Sequence, residues 1–301
     1  MPVRRILCPI DFSEVSAHAL ELATVLARWH GARLSVLHVR PTVTPHPDMP
    51  SGSPWAPWLL AELDELRQRV TAGCREATAA GVEVEALVTA GEPMHEILAC
   101  AERLPADLIV MGTHGVSGFQ HLLLGSVTEK VLRKASCPVL TAPPRAHAPT
   151  TRFTRLLCAV DFSDCSLKAV AFAASLAKES GAALELLHVI EWPWHESTTS
   201  EFEGVPAAQA RAVAEYRRYL EASAKERLDE VAASAMPSGT ATTGVRFGKP
   251  YVELLDAARQ TRADLIVLGV RGRGALDLGF FGSTANHVVR SASCPVLTMR
   301  A

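Results

Sequence analysis

The chain has 301 residues, which at about 100 to 200 residues per domain fits two medium domains better than one large one. Hydrophobic residues make up 48% and charged residues 21%, so there is ample material for a core and no sign of an intrinsically disordered chain. Lys and Arg total 30 against 32 Asp and Glu, which leaves no bulk positive field for DNA or an anionic membrane; an anionic ligand must be gripped locally.

The longest apolar runs, such as Ala169 to Ala174, fall far short of the roughly 18 residues that cross a bilayer. After Arg4 and Arg5 only Ile6 to Ile10 precede Asp11, too little for a secretory signal, so a cytoplasmic protein with neither membrane nor nucleic-acid partner is expected. Seven cysteines (Cys8, Cys74, Cys100, Cys137, Cys158, Cys165, Cys294) are scattered without a C-x-x-C pair, which points to small buried side chains instead of disulfides or zinc.

The predicted elements alternate between short β-branched runs and helical patterns, as in βαβ units on a parallel sheet. Strands are expected at Arg5 to Pro9, Arg33 to Val39, Val82 to Thr89, Asp107 to Gly112 and Pro138 to Thr141, with helices between them. Ser13 is the expected N-cap of the first helix and Gly31 its stop. Pro41 to Pro57 holds six prolines and reads as a loop before a long helix ending near Gly81. Ala142 to Pro149 is Pro-rich and aperiodic, and reads as a linker.

Beyond the linker the pattern starts again. Ile6-Leu-Cys-Pro-Ile-Asp-Phe-Ser13 recurs 150 positions later as Leu156-Leu-Cys-Ala-Val-Asp-Phe-Ser163, and Leu37-His38-Val39 recurs as Leu187-His188-Val189. Asp107-Leu-Ile-Val-Met-Gly112 and Ser136-Cys-Pro-Val-Leu-Thr141 return 157 positions later, at Asp264 and Ser293, so the second copy holds seven extra residues between Val189 and Gly248. Ser163 and Gly181 repeat the cap and stop of the first helix. The expected architecture is two tandem, doubly wound, Rossmann-like α/β domains of five parallel strands each, over 1–143 and 153–301, with a linker at 144–152.

Asp11 and Asp161 fall where the first strand of each copy gives way to its helix; Gly112 and Gly269 end the fourth strands. If first and fourth strands are neighbours, these residues face one another across the switch point where such sheets bind ligands. Each Asp is equally compatible with a turn or capping role. Copy one continues Gly112-Thr-His-Gly115, nine residues, Gly125-Ser126; copy two reads Gly269-Val-Arg-Gly272, nine residues, Gly282-Ser283. Glycines allow close backbone approach, and the helix that follows offers unpaired N–H groups to a phosphate, although an ordinary Gly-rich turn would share the composition. Neither a Walker A loop nor a G-x-G-x-x-G fingerprint is present. His38 and His188 read as core histidines, His114 and His121 as loop residues, and Cys137 and Cys294 as packing groups.

On Pro9-Ile-Asp11-Phe-Ser, Leu-His-Val, Gly91-Glu-Pro93, Asp-Leu-Ile-Val-Met-Gly, the G-x2-G-x9-G-S loop and Cys-Pro-Val-Leu, the sequence resembles the universal stress protein family over nearly its whole length, twice. The resemblance implies an adenine nucleotide alpha hydrolase-like fold and ATP, with or without Mg²⁺, as ligand. It implies that Asp11 meets the ribose or adenine side, Pro9 and Val39 wall the base, Met111 and Gly112 close that region, and Gly115, Gly125, Ser126, Val127 and Thr128 wrap the phosphates. In copy two it implies Ala159, Asp161, Val189, Leu268, Gly269, Gly272, Gly282, Ser283 and Thr284. Ala285 departs by standing where Thr128 has a hydroxyl, while Arg271 in place of His114 could fork onto phosphate oxygens. The expected function is nucleotide-dependent regulation in a stress response, with no catalytic or metal-ligating set; the alternatives are a slow ATPase or phosphoryl-transfer enzyme and a nucleotide-free scaffold. The closing strands are expected to pair the two copies as an internal pseudo-dimer, with further homo-oligomers of the whole chain.

Overall fold

The computed structural model describes residues 3–41, 56–114, 124–144, 152–191, 207–237, 239, 241–270 and 281–300. Gly115, Arg271, Gly272, His121 and most of the Pro-rich loop lie outside them. In chain order the elements are β1 (Arg5–Ile10), α1 (Glu14–His30), β2 (Arg33–Pro41), α2 (Ala56–Gly73), α3 (Arg75–Ala79), β3 (Val84–Gly91), α4 (Pro93–Arg103), β4 (Leu108–Gly112), α5 (Ser126–Lys134) and β5 (Val139–Ala142). The second copy supplies β6 (Arg155–Ala159), α6 (Asp164–Ser180), β7 (Ala183–Ile190), α7 (Ala207–Ala235), β8 (Ala241–Phe247), α8 (Pro250–Thr261), β9 (Leu265–Gly269), α9 (Ser283–Ser291) and β10 (Val296–Met299).

Two compact units result: Met1–Arg152 with Ala292–Arg300, and Phe153–Ser291 with Ala301. In unit 1 the strands run in the order β3-β2-β1-β4-β5-β10, the first five parallel. Unit 2 contains β9-β6-β7-β8, all parallel. The order turns back at β1, so right-handed crossovers send α1, α2 and α3 to one face of unit 1 and α4 and α5 to the other, which opens a crevice at the carboxyl ends of β1 and β4.

One strand departs from an all-parallel sheet. In unit 1 β10 runs antiparallel to β5, with Val296 opposite Thr141, Leu297 opposite Leu140 and Thr298 opposite Val139. The Thr141 hydroxyl donates to the Val296 carbonyl at 3.2 Å, and the Thr298 hydroxyl to the Val139 carbonyl at 3.1 Å. Thr141 with Thr298, and Val139 with Val296, are repeat equivalents, so the contact maps onto itself when the copies are exchanged, as an isologous contact does.

The element ends follow from local chemistry. Ser13 and Ser163 cap α1 and α6 by accepting from the amides of Ser16 and Ser166, and Gly31 and Gly181 end those helices at φ 62° and 73°. Asp107 accepts from the amides of Arg4 and Arg5, and Asp264 from those of Thr154 and Arg155, so the aspartate before each fourth strand holds the start of the first strand beside it. The long helix expected up to Gly81 is broken instead. The Cys74 amide bifurcates between the carbonyls of Val70 and Thr71, the chain turns after Gly73, and the short α3 follows. Glycine's backbone freedom weakens the helix there, whereas α7 runs 29 residues without a glycine. β7 begins 150 positions after β2 but β8 begins 157 after β3, which puts the seven extra residues between Ile190 and Ala241.

Leu7, Ile109, Leu157 and Ile266 on the central strands are wholly buried, as the continuous apolar runs require. Six of the seven cysteines are buried and Cys137 is half-buried. Burial raises the thiols of Cys8 and Cys158 far above their ordinary range and pushes Cys137 up to about 11. At pH 8 only about one Cys137 in a thousand is then a thiolate. Mass-spectrometric mapping of iodoacetamide on the native chain is expected to find Cys137 modified first and slowly, with Cys8 and Cys158 protected until the chain unfolds. Among the described residues no helix is long and apolar enough to cross a membrane.

Candidate functional site

The turn from β1 to α1 carries the first group of residues. Asp11 Oδ1 accepts from the Ser13 amide at 3.1 Å and the Ser13 hydroxyl at 2.6 Å, while the Asp11 amide donates to Ser16 Oγ at 3.3 Å. Phe12 between them has φ 63°, a left-handed conformation that costs a bulky residue of order 1–3 kcal/mol. Packing holds it there. The His38 ring lies 4.5 Å from the Phe12 ring and the Arg69 guanidinium 4.1 Å from it, and His38 Nδ1 donates to the Ile10 carbonyl at 2.9 Å. Copy two repeats the arrangement: Asp161 on Ser163, Phe162 at φ 62°, His188 against Phe162 and the Val160 carbonyl, and Arg227 over the ring. The aspartates therefore do perform the turn role, and the two histidines are half-buried supports of that turn.

The glycines at the strand ends have a packing reason of their own. A Cβ on Gly112 would stand 2.8 Å from Val15 Cγ1, and one on Gly269 would stand 2.8 Å from Cys165 Cβ and 3.0 Å from the Cys165 carbonyl carbon and the Ser166 nitrogen. Here the first helix presses on the end of the fourth strand. Gly125 and Gly282 close the loop onto its own start: their amides donate to the carbonyls of Thr113 and Val270, at 2.8 and 2.9 Å, and a Cβ would meet those same oxygens. Close approach is thus required by the protein backbone, before any phosphate is considered.

Thr128 is likewise engaged within the protein. Its hydroxyl, buried, donates to the Gly112 carbonyl at 2.9 Å and ties α5 to the end of β4, so its proton is not available to an anion. Ala285, also buried, leaves that tie out of copy two. Thr128→Ala is expected to lower the stability of unit 1 by about 1 kcal/mol, the net worth of one hydrogen bond, in guanidinium titrations followed by unit-resolved hydrogen exchange.

A cleft of about 410 Å³ opens where these parts meet. Pro9, Asp11, Val39, Met111, Gly112, Gly125, Ser126, Val127 and Thr128 all line it, drawn from four separate stretches of sequence. Sequence reasoning did not include Ile10, Ser16, Leu37, His38, Pro41, Pro93, Ile97 and His114, which line it too. The recurrence of His38 beside that of Asp11-Phe12-Ser13 was a usable signal; Pro93 and Ile97 arrive only because α4 crosses the sheet. Pro9, Leu37, Val39, Ile97 and Met111 supply apolar wall. Ser126 is the first residue of α5, after Gly125 as N-cap, so its amide and that of Val127 are among the N–H groups without a partner inside the helix. Thr113 Oγ1 and His114 Nδ1 are 2.9 Å apart at the rim.

In unit 2 the equivalent positions fall on equivalent elements. Ala159 ends β6, Asp161 follows it, Val189 is in β7, Leu268 and Gly269 end β9, and Gly282, Ser283 and Thr284 lead into α9.

Two tandem α/β units, one with a cleft at the carboxyl ends of β1 and β4 beside a helix start, define a Rossmann-like class of α/β protein. A profile of the universal stress protein family matches residues 2–143 and again 152–300. The chain belongs to that family, as a tandem of two of its domains. It is 36% identical to the universal stress protein YxiE of Bacillus subtilis over 144 residues, 45% of this chain and 96% of that one. Over 303 positions, 95% of this chain and 96% of the relative, it is 27% identical to a universal stress protein of Mycobacterium bovis. The crystal structure of a universal stress protein from Archaeoglobus fulgidus, 25% identical, matches 100% of this chain and 99% of its own with a TM-score of 0.70.

Proposed function

We propose that the chain is a cytoplasmic nucleotide-dependent regulator of a stress response that binds an adenine nucleotide, ATP with or without Mg²⁺, at the cleft of unit 1 and at the equivalent residues of unit 2. The observation that carries this reading is the convergence on one 410 Å³ cleft of an apolar wall, from Pro9, Val39, Ile97 and Met111, with the first amides of α5. That volume lies in the range of small-molecule sites, about 300–1,000 Å³. The wall suits a base, and the helix start, with its dipole and the Ser126 hydroxyl, suits phosphate. The self-exchanging contact of β5 with β10 supports pairing of the copies through their closing strands, and association of whole chains is a further part of the proposal.

The test is to denature the freshly purified chain, identify released nucleotide by mass spectrometry, and follow thermal unfolding with added ATP. A ligand at a hundred times its Kd stabilises by about 2.7 kcal/mol. Released adenine nucleotide, or such a shift, supports the reading. No release together with unchanged unfolding in millimolar ATP, ADP and AMP would leave the scaffold alternative in its place, and steady turnover of many ATP per second would favour the enzyme.

A further inference from the structure

The residues that flank the cleft lining of copy one and their equivalents in copy two differ in charge far more than the lining positions differ in residue type. In copy one Glu92 caps α4 just before Pro93, accepting from the His95 amide at 2.9 Å, and its other oxygen lies 3.7 Å from Lys130 Nζ. Lys130 is one turn along α5 from Ser126. Glu96, in the first turn of α4, accepts from Thr89 Oγ1 at 2.9 Å, and Glu129, in the first turn of α5, pairs with Arg133 at 2.6 Å. In copy two, 157 positions on, Glu92 becomes Lys249, Thr89 becomes Arg246, Glu129 becomes Asn286 and Lys130 becomes His287, whereas Glu96 remains as Glu253 and Arg133 as Arg290. Arg246 lies 3.6 Å from Glu253, so the retained carboxylate is compensated there. His287 Nδ1 donates to the Ser283 carbonyl at 2.8 Å and its ring stacks on Tyr251 at 4.4 Å, which fixes an imidazole over the first turn of α9.

Counted over positions 89, 92, 96, 129 and 130, copy one carries three carboxylates and one ammonium, a net −2; the five equivalents 246, 249, 253, 286 and 287 carry two cations and one carboxylate, a net +1 with neutral His. The difference of three charges falls on residues that adjoin the cleft-lining Pro93, Ile97 and Thr128 in sequence or, as Thr89 with Glu96, bond to one that does, and on their equivalents in copy two.

We infer that the two copies are tuned to nucleotides of different phosphate charge: the second site takes a nucleoside polyphosphate, the first is indifferent to phosphate number or favours a monophosphate, and Lys249 and Glu92 set the difference. This rests on the nucleotide reading above. Glu92, Lys130 and Lys249 are exposed and the other charged groups half-buried, so they act through a screened field: one that still reaches about 10 Å at 0.1 M ionic strength and shrinks to about 3 Å at 1 M. The preference must therefore fade with salt.

The test titrates the intact chain with ATP and with AMP and reads each copy separately, by nucleotide-dependent hydrogen exchange in peptides from the β1–α1 and β6–α6 turns. The expected ratio of ATP to AMP affinity is about tenfold or more in copy two and near unity or below in copy one. Lys249→Glu, which restores the capping carboxylate of copy one, should bring the copy-two ratio down about tenfold, Glu92→Lys should raise the copy-one ratio, and 1 M salt should draw the two ratios together. Equal ratios in both copies within twofold, or ratios unmoved by the two substitutions, overturn the inference while leaving the nucleotide reading standing. Absence of protection in either copy with either nucleotide overturns both.

Discussion

Ser126→Pro is expected to leave unit 1 folded and to cost it at least tenfold in affinity for ATP, while adenosine binding stays within about threefold. Ser126 is the first helical residue of α5, the place where proline is best tolerated, because its φ matches and the N–H it removes has no partner inside the helix. Gly125 before it stands at φ −59° and ψ 136°, the extended region that a residue preceding proline requires. The substitution thus deletes one amide donor and one hydroxyl at the helix start without touching Pro9, Val39, Ile97 or Met111. A hydrogen bond to a charged group is worth roughly 1.5–3 kcal/mol, so even one lost bond to a phosphate reaches the tenfold level. The affinity is read on unit 1 alone, by the ATP dependence of hydrogen exchange around Ile6 to Ser16, with Ser126→Ala alongside to separate hydroxyl from amide. Equal losses for ATP and adenosine, or no loss for either, would show that the start of α5 does not face the phosphates.

The elements that sequence reasoning reaches are those fixed by local chemistry. The β4 and β9 runs, and β1 and β6 beyond their leading exposed arginines, are apolar because both faces are covered, and Ser13, Gly31, Ser163 and Gly181 stand where a helix needs a hydroxyl acceptor and a left-handed residue. The break between α2 and α3 is less legible, since Gly73 marks it only once the bifurcated amide of Cys74 is seen. Nothing in the Val-Leu-Thr of β5 or β10 tells which edge it will meet, because register and partner are properties of the assembled sheet.

At the site, spacing identified residues more readily than reasons. Asp11 was legible as a residue at the end of a strand, but its bonds to Ser13 and its place beside the left-handed Phe12 depend on how the turn closes. The glycines were legible as points of close approach; that the close neighbour is helix backbone at Gly269 and loop carbonyl at Gly282 follows from sheet order, which brings the first helix of a copy over its fourth strand. Ile97 lines the cleft by that same order, without any motif of its own, and Pro93, although part of Gly91-Glu-Pro93, is brought to the cleft in the same way.

Gly269→Ala is accordingly expected to destabilise unit 2 by about 3 kcal/mol, at the upper end of the cost of overpacking, and Gly112→Ala to destabilise unit 1 by less, about 1–2 kcal/mol. The chemistry of the substitution is identical; the neighbours are not. At Gly269 the new methyl meets Cys165 Cβ at 2.8 Å with the Cys165 carbonyl carbon and Ser166 nitrogen at 3.0 Å, and none of these atoms can move without shifting the first turn of α6. At Gly112 the nearest atom is a Val15 methyl at 2.8 Å, which can leave by rotating from its preferred helical rotamer, and the nearest backbone is 3.3 Å away. Guanidinium titrations with hydrogen exchange resolved by unit should show the ordering, since a single global midpoint is not defined for a two-unit chain. Any shift of α6 also disturbs the turn that holds Asp161 and Phe162, so the copy-two response to ATP should fall with the Gly269 variant even where unit 2 remains folded. Equal costs at the two positions would mean that the pressure of the first helix on the fourth strand is not what demands glycine, and the requirement would then pass to the ligand.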